Sequence, residues 1–100
     1  MAEKTVAFMT RATDEWEQSE AGRSALGAML RGHTPSLFVL DAEMNPEYGD
    51  NEENFEWIVD SDGVVGTNNS ANDGKSEHIS VMSVEDIAKK ILESDFIIPY

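Results

Sequence analysis

The stretch PSLFVLD, residues 35–41, is the clearest strand signal in this chain of 100 residues. Four consecutive apolar residues, Leu37 to Leu40, stand between a serine and an aspartate, with a proline just before them. A short apolar run bounded by turn-forming residues is typical of a strand that is buried on both faces. We therefore predict a buried strand here and interpret the neighbouring segments outward from it.

A helix is predicted immediately before this strand. Thr13 is a good N-cap, and acidic residues follow it in the first turns, where the helix dipole favours negative charge. Apolar residues recur at helical spacing over 25–30, and Gly32 after Arg31 is a typical C-terminal stop. A short strand over residues 5–9, rich in β-forming residues, is predicted to precede the helix.

Three further strands are predicted after the buried one. Residues 55–59 and 64–65 flank the sequence Asp60-Ser61-Asp62-Gly63, which has the composition of a tight hairpin turn with Gly63 supplying a positive φ. Alternation along residues 55–59 puts Trp57 on the buried face. Residues 78–82 alternate in the same way and form the last predicted strand.

A second helix is predicted to follow Ser83, which is a good N-cap with two acidic residues in the next turn. Residues 96–100 form an apolar tail, expected to dock on the sheet or on a partner. The element order is then β-α-β-β-β-β-α. The predicted fold class is α+β, a small antiparallel sheet of about four to five strands packed by two helices on one face.

The length predicts a single domain over residues 1–100. Within it, residues 42–53 are expected to form an acidic loop and residues 67–76 a flexible polar loop. The N-terminus lacks the basic start and long apolar core of a secretory signal, and no window resembles a membrane span. The expected location is therefore the cytoplasm.

Charge is the unusual property of this sequence. Twenty acidic residues against seven basic ones give a formal net charge of −13. From Gly32 to Gly74 there is no lysine or arginine, whereas ten acidic residues fall in that base-free stretch. Nucleic acids and anionic membranes need a basic footprint, so direct binding to either is not expected. A positively charged protein partner is favoured instead.

Motifs for catalysis or metal binding are weak. Asp60-x-Asp62-Gly63 contains a fragment of an EF-hand loop, but Asn69 stands where the closing glutamate belongs. Weak divalent-cation binding at Asp60 and Asp62 stays open. The chain has no cysteine, its histidines lack metal-ligand spacing, and its serines lack a nucleophile motif. We therefore expect no enzymatic activity, no cofactor and no metal.

The predicted partner-binding residues are the acidic residues of the base-free stretch up to residue 62, together with one tyrosine that could anchor a contact. They are Asp41, Glu43, Glu47, Tyr48, Asp50, Glu52, Glu53, Glu56, Asp60 and Asp62. Carboxylates on a rigid scaffold can imitate the charge spacing of a phosphate backbone, so a basic nucleic-acid channel would attract them.

In size, acidity and lack of cysteine, the chain resembles a class of small inhibitors that bacteriophages encode against host defence or host polymerase. Anti-CRISPR proteins and other DNA mimics belong to that class. The resemblance implies a non-enzymatic inhibitor that blocks a basic nucleic-acid-binding surface of a partner protein.

Two alternatives to this inhibitor stay open. The first is an antitoxin or immunity protein that neutralises a basic toxin. The second is a small subunit or adaptor that pairs through the apolar tail or a sheet edge. The sequence does not fix the oligomeric state, and a dimer is one option.

Overall fold

Five parallel strands form one sheet at the centre of the computed structural model, which describes residues 3–100. The strands are β1 (Thr5–Thr10), β2 (Thr34–Val39), β3 (Val65–Thr67), β4 (Ile79–Val81) and β5 (Phe96–Pro99), in the spatial order β4-β3-β2-β1-β5. The helices are α1 (Glu15–Leu30), α2 (Asn51–Asp60) and α3 (Val84–Glu93), with a 3-10 turn at Ser70–Asn72.

Helices cover the sheet on both faces. Because successive strand side chains point to opposite faces, β1 directs Val6 and Phe8 toward α1 and α2, and Ala7 toward α3. The central strand β2 is covered on both sides, and Leu37 and Phe38 are each 1% exposed. The prediction of a buried strand at residues 37–40 is confirmed for 37–39, and Leu40 lies half-buried just beyond β2.

The prediction of an antiparallel sheet packed by two helices is wrong. All four strand pairings are parallel and three helices pack against the sheet, which makes the fold α/β. The cause is α2, which occupies residues 51–60 and so includes residues 55–59, where a strand was predicted. A helix between β2 and β3 carries the chain back to the opposite end of the sheet, so the next strand runs parallel to the last.

Helix α2 was not predicted from the sequence, because polar residues occupy half of its buried side. Asn51, Asn54, Phe55 and Ile58 are buried, at the i, i+3, i+4, i+7 spacing of one helical face. Two of these four residues are asparagines, so the apolar pattern alone suggested a strand. Trp57, predicted to be buried, is 48% exposed on the opposite side of the helix.

The predicted hairpin turn at residues 60–63 is also wrong, because these residues end α2 and lead into β3. The positive φ of 68° belongs to Asp62 and not to Gly63. Gly63 is required for space: a Cβ atom there would lie 1.7 Å from the carbonyl oxygen of Pro35. The glycine thus allows the chain after α2 to pass directly against β2.

The helix predictions on either side of these segments are confirmed, with one change of cap. Asp14, not Thr13, caps α1, and its Oδ1 accepts hydrogen bonds from the backbone N–H groups of Trp16 and Glu17. Ser83 caps α3 as predicted, accepting from the N–H of Asp86 at 3.1 Å. None of the helices within residues 3–100 is long and apolar enough to cross a bilayer.

Parts of the segments predicted to be loops or an apolar tail belong to helices and strands in the structure. Residues 51–53 of the expected acidic loop belong to α2, and residues 96–99 of the tail form β5 beside β1. The polar segment 67–76 starts in β3 and holds the buried Asn72. The Asn72 amide accepts from the N–H of Met44 at 2.7 Å and donates to the carbonyl of Ala42 at 3.0 Å. Asn72 thereby fixes the chain that follows β2.

Replacing Gly63 with alanine should lower the free energy of unfolding by about 2–3 kcal/mol, because the added methyl group has to displace backbone atoms. Gly27→Ala is the matched control, since a Cβ atom there meets nothing within 4 Å. In the interior of α1 that change should stabilise the protein by about 1 kcal/mol. Urea denaturation measures both values, and equal stability of Gly63→Ala and the unmodified protein would contradict the close approach.

Candidate functional site

Helix α2 places four carboxylates on the outside of the molecule. Its inward residues pack against the sheet and α1, which leaves the intervening positions exposed. The outward carboxylates are those of Glu52, Glu53, Glu56 and Asp60. Glu52 and Glu53 lie in the first turn, where the helix dipole favours negative charge. The sequence thus folds with its densest group of acidic residues on one helix face.

His78 lies beside this helix and collects carboxylates from two elements. Its Nε2 atom is 3.7 Å from an oxygen of Glu52, 3.8 Å from one of Glu56 and 3.7 Å from one of Glu77. The His78 side chain is only 14% exposed, whereas the carboxylates of Glu56 and Glu77 are largely exposed. Glu77 thereby joins the α2 carboxylates. We call Glu52, Glu53, Glu56, Asp60 and Glu77 the acidic surface.

The acidic surface lacks strong counter-charge. Across residues 3–100, no lysine or arginine nitrogen lies within 4.0 Å of its carboxylates. The Lys and Arg ion pairs in that part of the chain join Arg11 to Asp41, Arg23 to Glu20 and Lys75 to Glu43. All three pairs therefore lie outside the acidic surface.

A second group of predicted residues lies at the carboxyl ends of the strands. Asp41 follows β2 with a left-handed φ of 65°. Its carboxylate accepts hydrogen bonds from Asn68 Nδ2 at 2.8 Å and from Arg11 Nη2 at 2.7 Å. These two contacts, that of Asn68 first, lower the pKa of Asp41 from its ordinary value of 3.8. Glu43 forms a longer ion pair with Lys75 at 3.4 Å. Cations from outside the base-free stretch therefore contact both of these carboxylates.

An open cavity of about 480 Å³ lies beside these residues. Its lining residues are Thr13, Glu15, Glu43, Met44, Asn45, Pro46, Glu47 and Lys75. Ligands of open parallel sheets bind at the carboxyl ends of the strands, where this cavity lies. Three carboxylates and one ammonium group line it, and Lys75 Nζ is already hydrogen-bonded to the carbonyl of Met44 at 3.0 Å. The lining therefore suits a cationic group better than a phosphate.

The structure divides the ten predicted partner-binding residues among three places. The first set, Glu52, Glu53, Glu56 and Asp60, belongs to the acidic surface. The second set, Asp41, Glu43, Glu47, Tyr48 and Asp50, lies in the segment between β2 and α2, and Tyr48 is half-buried there. Asp62 stands apart, because it lines a cavity of about 190 Å³ near the amino ends of β1 and β2 together with Lys90 of α3.

Three residues of this region were not among those predicted for the site. Trp57 is exposed on α2, the helix that carries the carboxylates. The helical spacing of its buried neighbours is the sequence pattern that could have predicted this exposure. His78 contacts α2 and Glu77 contacts His78 just before β4, which pairs in parallel with β3. No local pattern in the sequence indicates that contact.

No group of three or more His, Cys, Asp or Glu side chains in the part of the chain described is arranged to hold a metal ion. The carboxylates around His78 contact the imidazole at ion-pair distances instead.

Comparisons with known proteins show a fold but no family. No protein-family model and no curated protein matches this sequence. The chain is similar in structure to the ychN protein of E. coli, known from a crystal structure, with a TM-score of 0.70. The match covers 99% of this chain and 100% of that chain, at 14% sequence identity. At that identity the similarity supports the α/β architecture alone.

Asp41→Asn should remove a pH-dependent contribution to stability. Because the pKa of Asp41 is lowered in the folded state, its ionised form stabilises the protein above pH 3.8, and this contribution is lost as the pH falls through the lowered value. The difference in unfolding free energy between the two proteins should therefore shrink in acid. Chemical denaturation across this pH range measures it.

Arg11→Gln is the companion variant, because it removes the guanidinium group and keeps the Asn68 hydrogen bond. Its effect should have the same sign and be smaller, since the Asn68 hydrogen bond still lowers the pKa of Asp41. A difference between Asp41→Asn and the unmodified protein that stays constant with pH would contradict this interpretation.

Proposed function

We propose that this chain is a non-catalytic binding protein that covers a basic nucleic-acid-binding surface of a partner protein and blocks it as a DNA mimic. The observation that supports the proposal is the acidic surface, whose carboxylates have no lysine or arginine partner within the part of the chain that the structure describes. Carboxylates on a rigid element that have no lysine or arginine beside them attract a cationic partner and repel anionic ones.

The spacing of charge along α2 supports mimicry of a nucleic-acid strand. Four carboxylates, from Glu52 to Asp60, fall within about 12 Å of helix axis at 1.5 Å per residue. The mean interval along the axis is thus about 4 Å, close to the rise of about 3.4 Å of helix axis per phosphate of one DNA strand. A surface that binds a phosphate backbone would therefore find a comparable charge density on this helix.

Trp57 adds an apolar anchor to this surface. It is 48% exposed on α2, next to Glu56 in the sequence. Tryptophan is among the residues that contribute most to binding free energy at protein interfaces. The combination suits a protein surface, which offers both cationic groups and apolar pockets, better than it suits a simple cation.

The identity of the partner follows from the same chemistry. If the chain is an inhibitor of the class that its sequence resembles, its partner is a host nuclease or polymerase. If it is an antitoxin or immunity protein, the same surface binds a basic toxin. The proposal assumes a cytoplasmic protein, because a nucleic-acid-binding partner acts in that compartment. Competition by duplex DNA separates the two kinds of partner, since a nuclease or polymerase binds DNA and many toxins do not.

Changing Glu52, Glu53 and Glu56 together to Gln should weaken partner binding roughly tenfold or more, because it removes most of the charge from the α2 face. The immobilised chain is incubated with a bacterial lysate, and the retained proteins are eluted with rising salt. Each retained protein is then purified and titrated with the chain, with and without duplex DNA. Binding should fall steeply with salt and compete with DNA.

The control changes Glu85, Asp86 and Glu93 of α3 to their amides, which removes the same number of negative charges from exposed positions. That variant should retain most of the affinity. Two results would show that the acidic surface is not the binding site. In the first, both triple variants bind as tightly as the unmodified chain, and in the second, both lose the same amount of affinity.

A further inference from the structure

Strand β5 forms an exposed apolar edge of the sheet. It pairs with β1 on one side, and the sheet order ends with it on the other. Its residues Phe96, Ile97 and Ile98 are exposed, and so is Tyr100 directly after it. An exposed apolar edge strand is a place where another chain adds to the sheet. This edge is separate from the acidic surface and does not depend on the function proposed for it.

The apolar area continues from β5 onto α1. Trp16 and Tyr100 line a cavity of about 370 Å³ together with Glu17 and Glu20. Tyr100 is held in place, because its N–H donates to the carbonyl of Met9 at 2.8 Å and its hydroxyl contacts that of Ser24. We call Trp16, Phe96, Ile97, Ile98 and Tyr100 the β5 edge.

The area of the β5 edge matches what a dimer needs. Its five side chains are between 39% and 61% exposed. Side chains of this size present on the order of 200 Å² when fully free, so half-exposure of five gives roughly 500 Å² on each copy. Two copies together would bury up to about 1,000 Å² if all of this area were covered, which is the size at which specific interfaces begin.

The charge distribution also favours a second copy at this edge. Two chains of net charge −13 repel each other. The acidic surface lies on the side of the sheet where β3 and β4 are found, whereas β5 is the strand at the other end. Near the β5 edge, Glu20 is paired with Arg23 at 2.8 Å and Asp95 accepts from the N–H of Thr5 at 2.8 Å. Contact through β5 therefore keeps the strongest negative charges of the two copies apart.

The backbone of β5 limits how a second chain can pair. Because Tyr100 bonds to β1 and strand residues alternate in direction, Ile97 directs its N–H and carbonyl to the free side. Pro99 faces the same side and has no N–H to offer. An antiparallel pair centred on Ile97 exchanges two hydrogen bonds and cannot extend far beyond it. Such a pairing closes on itself because each copy uses the same strand.

We infer that two copies of this chain associate through the β5 edge, with strand β5 of one copy antiparallel to that of the other and a twofold axis close to Ile97. The two sheets then join into one, and Trp16 and Tyr100 cover the junction on the α1 side. The dimer carries its two acidic surfaces at its far ends, so each remains free to bind.

Sedimentation of the full chain across micromolar concentrations, in moderate salt that screens repulsion, tests the association. The unmodified chain should approach twice the 11.1 kDa mass of one copy. Phe96→Lys should lower the measured mass to that of one copy. Because lysine lowers the net negative charge, electrostatic repulsion cannot explain the loss of the dimer. Leu30→Lys is the control, since Leu30 is 80% exposed at the end of α1 and should leave the dimer intact.

A cysteine placed at the axis tests the geometry independently of the lysine variant. The chain has no cysteine, so Ile97→Cys and the control Leu92→Cys each carry one thiol per copy. Leu92 is 80% exposed on α3. Under mild oxidation Ile97→Cys should form a covalent dimer roughly tenfold faster or more, because only close Cβ atoms can form a disulfide. A monomeric unmodified chain at every concentration, or equal crosslinking of the two variants, would overturn the inference. A monomeric chain would mean that the edge serves a different protein.

Discussion

Burial of β2 on both faces is the constraint on which the rest of this structure depends. Its residues Leu37, Phe38 and Val39 are each 1% exposed, so apolar cover is needed above and below the sheet. A strand in that position is supported by parallel neighbours, and parallel neighbours require crossover connections that carry helices. The α1 and α2 helices cover one face, and α3 covers the other with Ile87. The position of each helix follows from that requirement.

The acidic surface is a consequence of the same constraint. Helix α2 has to turn Phe55 and Ile58 inward to cover β2 and β3, which leaves its carboxylates no position except the outside. The cations of the chain lie before residue 32 and after residue 74, and the fold brings Arg11 and Lys75 to Asp41 and Glu43 instead of to α2. Within residues 3–100 the carboxylates of α2 therefore have no lysine or arginine partner, and the cations that do form ion pairs contact other carboxylates.

The two ends of the sheet have opposite character. The first strand, β1, lies next to one end of the sheet, and the chain adds β2, β3 and β4 on the side away from that end, with the carboxylates of α2 and Glu77 nearby. Helix α3 then returns it to the other side of β1, where β5 ends the sheet with apolar residues. A single chain thus carries a charged surface and an apolar edge far enough apart for both to be used at once.

By itself the sequence determined the buried strand β2, the helices α1 and α3, the positions of their caps to within one residue, and the concentration of acidic residues between 32 and 74. These features are local, because apolar periodicity, capping residues and the count of charges act over a few neighbouring positions. Only the tertiary structure decided the direction of the strands, the helical state of residues 51–60 and the side on which Trp57 lies. These three features depend on contacts between elements. The asparagines of α2 are buried by packing against other elements, and Gly63 leaves space for the carbonyl oxygen of Pro35, which is distant in sequence. The contact of Glu52 and Glu56 with His78 has the same origin, since these residues are more than twenty positions apart in the sequence and no local pattern brings them together.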